Sequence, residues 1–146
     1  MTRDQRWLDA CHAMAPLFAT CERRQYAAFL IDPHGRVVGF GYNGSPPGLA
    51  HCADLPCPRL SSTVPHGSPY DAGAGRCIAV HAEANALLFS DATARRGATC
   101  YVNGPPCADC AKLLVAGGVT RVVHTADDAY PDACTPLGLQ VVAVVR

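Results

Sequence analysis

Three side chains in two short runs have the chemistry to hold a metal ion. His81 opens the run His81-Ala82-Glu83-Ala84-Asn85, and Cys107 and Cys110 close around two residues in Pro105-Pro106-Cys107-Ala108-Asp109-Cys110. One imidazole and two thiolates are a borderline-soft donor set that suits zinc. Three protein ligands leave the fourth tetrahedral position for water, which marks a catalytic rather than a structural ion. A water held there ionises at roughly pH 7 instead of about 15.7. Glu83, two residues past the histidine, is near enough to exchange protons with that water without occupying the metal. The chemistry this implies is hydrolysis.

Taken singly, each motif has an ordinary reading. A lone Cys-x-x-Cys in a reduced protein can be a redox pair or half of a zinc knuckle, and a lone His-Ala-Glu is often just a helix start. Together, in this order and each followed by an apolar helical pattern, they are far more specific. Both motifs open helices, so His81 and the two cysteines should converge from neighbouring helix N-termini. The helix dipole there favours thiolate, and Cys107 and Cys110, three apart, lie on one face.

The elements that must position them follow from periodicity. Asp4 to Thr20 reads as an amphipathic helix, with Trp7, Leu8, Cys11, Met14, Ala15 and Phe18 at spacings of three and four and Pro16 expected to kink or end it. Tyr26 to Ile31 and Arg36 to Tyr42 are strands joined by the turn Asp32-Pro33-His34-Gly35, a hairpin. Gly41-Tyr42-Asn43-Gly44-Ser45-Pro46-Pro47-Gly48 is a loop. Leu49 to Gly75 shows no periodicity, and Pro56, Pro58, Pro65 and Pro69 interrupt it. So long an irregular stretch in a compact domain is functional or tied down, and His51, Cys52, Cys57, His66 and the following Cys77 could tie it through a closed zinc site. A helix from Val80 or His81 carries Ala84, Leu87 and Leu88 inward and ends by Gly97. Thr99 to Val102 is a strand, Ala108 to Ala116 a helix stopped by Gly117-Gly118, and Arg121 to Thr125 a strand. Ala126 to Pro136 is a loop, and Leu139 to Val145 is the last strand. Alternating strands and helices predict a mixed sheet with helices on its faces.

The totals narrow the class. The 146 residues are 49% hydrophobic and 16% charged, which fits one globular domain, 1–146. Twelve basic residues, all arginine except Lys112, balance twelve acidic ones. Without a basic stripe, a long nucleic acid partner is disfavoured, while a small anion needs only one or two arginines. Nine cysteines are an odd number and two lie in the metal motif, so metal in a reducing compartment fits better than a disulfide framework. No apolar leader or run of membrane-spanning length is present, and cytoplasm is the expected location.

The order His-x-Glu, then Pro-Cys-x-x-Cys, is the signature of the zinc deaminases. The chain resembles the cytidine deaminase-like superfamily and, more narrowly, the deoxycytidylate (dCMP) deaminase family. The narrower resemblance rests on Gly41-Tyr42-Asn43-Gly44-Ser45-Pro46, on His81 to Ala86 and on Pro106 to Lys112, with Thr20-Cys21 and His51-Cys52 in support; it spans about Thr20 to Thr125. It implies a three-layer α-β-α fold around a five-stranded mixed sheet, and hydrolysis of dCMP to dUMP and ammonia. Glu83 would pass the water proton to the ring nitrogen beside the reacting carbon and then to the departing ammonia. It also implies that Asn43 contacts the sugar, that backbone near Ala82 holds the pyrimidine carbonyl, and that Tyr130 flanks the nucleotide. Some relatives carry a second, structural zinc. Cys21 and Cys52 match two of its ligand positions, and Cys57 and Cys77, with His51 and His66 as substitutes, could complete it. Cys11, Cys100 and Cys134 then remain as small buried hydrophobes. Homo-oligomers, often hexamers regulated by dCTP and dTTP, are common among such enzymes. Two departures, Tyr26-Ala27-Ala28 for the usual Val-Gly-Ala and Asn103-Gly104 before Pro105, bear on which base or substituent the pocket prefers.

Arg23, Arg24, Arg59 and Arg76 are the candidates for a phosphate anchor. Competing readings are a deaminase of another base, of a nucleoside, of a modified cytosine nucleotide or of adenosine in tRNA, the last opposed by the neutral charge. A non-catalytic zinc-stabilised module would explain the cysteines but leave Glu83 and the three-ligand count without a purpose.

Overall fold

Period-two alternation in the strands sorts the side chains between two cores, and the sheet is built from that division. The computed structural model describes residues 1–54, 56–61, 65, 68–70 and 76–146. Its elements, in chain order, are α1 (Arg3–Phe18), β1 (Ala27–Ile31), β2 (Val37–Tyr42), α2 (Pro58–Ser61), α3 (Ala82–Leu88), β3 (Thr99–Val102), α4 (Ala108–Ala116), β4 (Arg121–Thr125) and β5 (Gln140–Val144). One five-stranded sheet runs β2-β1-β3-β4-β5. The β1–β2 hairpin and the β1–β3 pair are antiparallel, whereas β3–β4 and β4–β5 are parallel. The expected α/β architecture with a mixed sheet is what forms. Among the described residues, no helix is long and apolar enough to cross a membrane.

On one face, Leu8 and Cys11 of α1 pack with Ile31, Tyr101 and Val123. On the other, Ala82 and Ala86 of α3 and Ala111 and Leu114 of α4 pack with Ala28, Leu30, Cys100, Val102 and Val122. Neighbours in one strand thus serve opposite cores. Cys11, Cys100 and Cys134 are buried as small apolar groups, and all nine cysteines are free thiols.

The structure fixes two helix ends and corrects one side chain. Pro16 lies inside α1 without ending it, and the helix closes at Phe18. The helix expected to end by Gly97 does so, stopping at Leu88. The Asp91 carboxylate accepts from the N–H groups of Thr93 and Ala94, offering the chain a turn in place of further helix. Arg95 then donates to the carbonyls of Leu87, Ser90 and Gly117, satisfying chain ends beside both α3 and α4. Leu88, expected inward, is 70% exposed. Ala82 and Ala86 instead set the inner face, where α3 lies directly on β2. A Cβ on Gly41 would collide with the Ala82 carbonyl and the Ala86 nitrogen, so only glycine lets helix and strand approach this closely.

Candidate active site

His81 is the N-cap of α3 and Cys107 the N-cap of α4, two helices packed side by side. That placement follows from sequence, since both residues immediately precede alanine-rich helical runs. His81 Nδ1 lies 3.5 Å from Cys107 Sγ and 3.4 Å from Cys110 Sγ. The Cys110 backbone N–H points at Cys107 Sγ, 3.4 Å away. With Zn–S near 2.3 Å and Zn–N near 2.05 Å, an N–S edge of a tetrahedron measures roughly 3.6 Å. The observed separations match that edge, so the donor set fits a zinc ion bound through Nδ1. Among the described residues, these three form the only group of three or more His, Cys, Asp or Glu whose ligand atoms lie within 4.8 Å of one another.

Glu83, the second residue of α3, is 5% exposed. Burial pushes its carboxyl up from the ordinary carboxylate range. The two thiols share their protons unequally. Cys107, hydrogen-bonded by Cys110 and by His81, is pulled down to about 4, while Cys110 is pushed up by that same hydrogen bond and by burial. Cys107 is therefore the readier thiolate of the two.

His81, Cys107 and Glu83 line a cavity of about 470 Å³, and Cys110 is buried next to them. Ala82, Asn43 and Tyr130 also line it, as the sequence suggested. Asn43, however, has both ends of its amide engaged with the main chain: Oδ1 accepts from Tyr26 N at 2.8 Å and Nδ2 donates to Arg24 O at 2.8 Å. Asn103 repeats the pattern one residue on, accepting from Ala27 N and donating to Gln25 O. Asn103 thus faces the start of β1, and Gly104 makes the cavity wall in its place. A Cβ on Gly104 would run into the Tyr26 ring, so these two positions meet at one wall of the cavity. Of the four candidate arginines, Arg23, Arg24 and Arg59 line the cavity. Arg24 lies over the Tyr130 ring at 5.0 Å, with Asp127 4.0 Å away. Arg59 is engaged by the carbonyls of Ser68 and Pro69.

Cys21, Cys52, Cys57 and Cys77 line the same cavity. Burial raises the Cys77 thiol, and Cys21, Cys52 and Cys57 are near enough to raise it further. Cys52 Sγ lies 3.2 Å from Ser45 Oγ. His66 falls outside the described residues, and His51 is exposed. One residue at the site went unnoticed in the sequence: Tyr70, whose ring stands against His81. A lone aromatic in a proline-broken stretch was the only signal available.

Comparison with known proteins agrees with this geometry. The sequence profile of the cytidine and deoxycytidylate deaminase zinc-binding region matches residues 1–126. The deoxycytidylate deaminase of Mycobacterium phage D29 is 50% identical over 104 residues, covering 71% of this chain and 80% of that one. That of Homo sapiens is 32% identical over 122 residues, covering 78% of this chain and 62% of the human protein. In structure, the dCMP deaminase of cyanophage S-TIM5 in complex with dCMP and dUMP superposes with a TM-score of 0.73 at 23% identity, over 99% of both chains. That likeness establishes the fold.

Proposed function

The chain belongs to the cytidine and deoxycytidylate deaminase family, and from that premise we propose that it works as one domain to convert dCMP and water to dUMP and ammonia. The observation that carries the reading is a buried glutamate beside a His-Cys-Cys donor set on the wall of a nucleotide-sized cavity. His81, Cys107 and Cys110 would hold the zinc, which when bound supplies a water that ionises at roughly neutral pH. Glu83 takes the proton from that water and delivers it to N3 of the cytosine. A C4–O bond forms; Glu83, again ionised, takes the second proton from the new C4 hydroxyl and passes it to the amino group, so that ammonia leaves as the C4–N bond breaks and the C4 carbonyl forms. Ala82 at the head of α3 and the Tyr26–Gly104 wall orient the base. Tyr130 flanks the nucleotide, Arg23 and Arg24 receive its phosphate, and Asn43 supports the sugar end by fixing residues 24–26.

A second zinc on Cys21, Cys52, Cys57 and Cys77 would tie these four positions together beside the cavity. The support is that the four thiols line one cavity and that three of them act electrostatically on Cys77, while no three of them stand within 4.8 Å of one another, so the ion would have to draw them together. In solution we expect a cytoplasmic homo-oligomer, which the exposed Leu88 and Phe89 favour.

The test is ammonia release from dCMP, deoxycytidine, cytosine, dCTP, 5-methyl-dCMP and guanine, measured on one preparation. Preference for dCMP supports the reading. Equal or faster turnover of the nucleoside would remove the phosphate anchor from it, and preference for guanine would replace it.

A further inference from the structure

We infer that Tyr70 is a positioning residue for the metal-binding imidazole, and that Arg59 holds Tyr70 in place. The inference rests on the reading of His81 as a zinc ligand. Tyr70 and His81 have ring centroids 4.9 Å apart with planes at 90°, the T-shaped geometry that aromatic quadrupoles favour. Tyr70 also lines the cavity beside Cys107.

A metal-binding histidine ordinarily has its ring fixed by a carboxylate or carbonyl on the nitrogen that does not bind the metal. Here Nδ1 faces the two sulfurs, and among the described residues no hydrogen-bond partner meets Nε2. As N-cap, His81 also makes no side-chain bond to its own helix. The Tyr70 ring is the contact that remains to set the imidazole plane.

Tyr70 can do this only if it is itself fixed, and it belongs to neither a helix nor a strand. Arg59, 9% exposed, provides the anchor. Its Nη1 donates to Pro69 O at 3.0 Å and its Nη2 to Ser68 O at 2.9 Å, gripping the two residues before Tyr70. The same guanidinium lies 5.3 Å from the centroid of the Tyr70 ring. On the other side, Tyr70 O accepts from Cys77 N at 2.7 Å. The ring is thus held through the main chain at both ends and through its own π face.

The experiment compares wild type, Tyr70→Phe, Tyr70→Leu and Arg59→Met by zinc competition against a chelator and by the visible spectrum of the cobalt-substituted protein. Tyr70→Phe keeps the ring and should match wild type in both. Tyr70→Leu should bind zinc about 10- to 100-fold more weakly, the usual loss when the group orienting a ligand is removed, with an altered cobalt spectrum. Arg59→Met, which leaves the ring present but unsupported, should shift both readouts in the same direction by less, and it carries the test if Tyr70→Leu fails to fold. Unchanged metal affinity and spectrum in folded Tyr70→Leu, or in Arg59→Met where that variant carries the test, would overturn the inference alone. A wild-type protein that takes up no metal would instead overturn the reading of the site.

Discussion

Asn43 and Asn103 each commit a whole amide to the main chain, and between them they pin every residue from Arg24 to Ala27. Two cavity-lining side chains, Arg24 and Tyr26, are carried on that segment. Replacing Asn43 by Ala leaves the Tyr26 N–H and the Arg24 carbonyl without their partner, a cost of about 1–3 kcal/mol per unsatisfied buried group. Thermal unfolding of Asn43→Ala should show that loss. Its KM for dCMP should rise several-fold more than its kcat falls, because the damage reaches binding groups and not Glu83. The convergence of His81, Cys107 and Cys110 beside Glu83 was legible in the sequence because the spacing is local: each motif spans a few residues at one helix start. The work of Asn43 and Tyr70 was not, since it depends on chain neighbours brought together only by the fold.

Among the elements, α1 is fastened to the sheet by one carboxylate. Asp4 pairs with Arg121 of β4 at 2.7 Å and accepts from the Tyr101 hydroxyl of β3 at 2.8 Å. The Arg121 hydrogen bond, joined by that from Tyr101, holds the Asp4 carboxyl below its usual value against the opposing effect of burial. A carboxyl lowered on folding stabilises the fold above its unfolded pKa of about 3.9, and the contribution disappears as pH falls through the lower folded value. Asp4→Asn should therefore cost about 1–2 kcal/mol at pH 7, the worth of a charged hydrogen bond or two. The difference from wild type in denaturant unfolding should shrink below about pH 4; a penalty independent of pH would contradict this account. The strands were legible because each is a short apolar run bounded by turn or helix signals. The end of α3 was not, because Leu87-Leu88-Phe89 extends the apolar run past the point where Asp91 and Arg95 terminate the helix through contacts that periodicity does not register.

For the whole molecule, the proline-broken stretch from residue 49 to 77 is where sequence was least informative. Its described parts reach the cavity through Cys52, Cys57, Arg59, Tyr70 and Cys77. If the four thiols hold a second ion, metal analysis should return two zinc ions per chain, falling to one in Cys77→Ser with a lowered unfolding temperature; one zinc in both proteins would remove the second site. The exposed Leu88 and Phe89 predict that light scattering will give a mass that is a multiple of the 15.3 kDa chain, and a monomer would contradict it.

All of this depends on a carboxylate that moves protons beside a metal it does not bind. The most direct measurement is zinc content and dUMP formation in one preparation each of wild type and Glu83→Gln. The expected result is equal zinc in both, with turnover of dCMP reduced about 10²- to 10⁴-fold in the variant. Undiminished turnover in a zinc-replete Glu83→Gln protein would contradict the account.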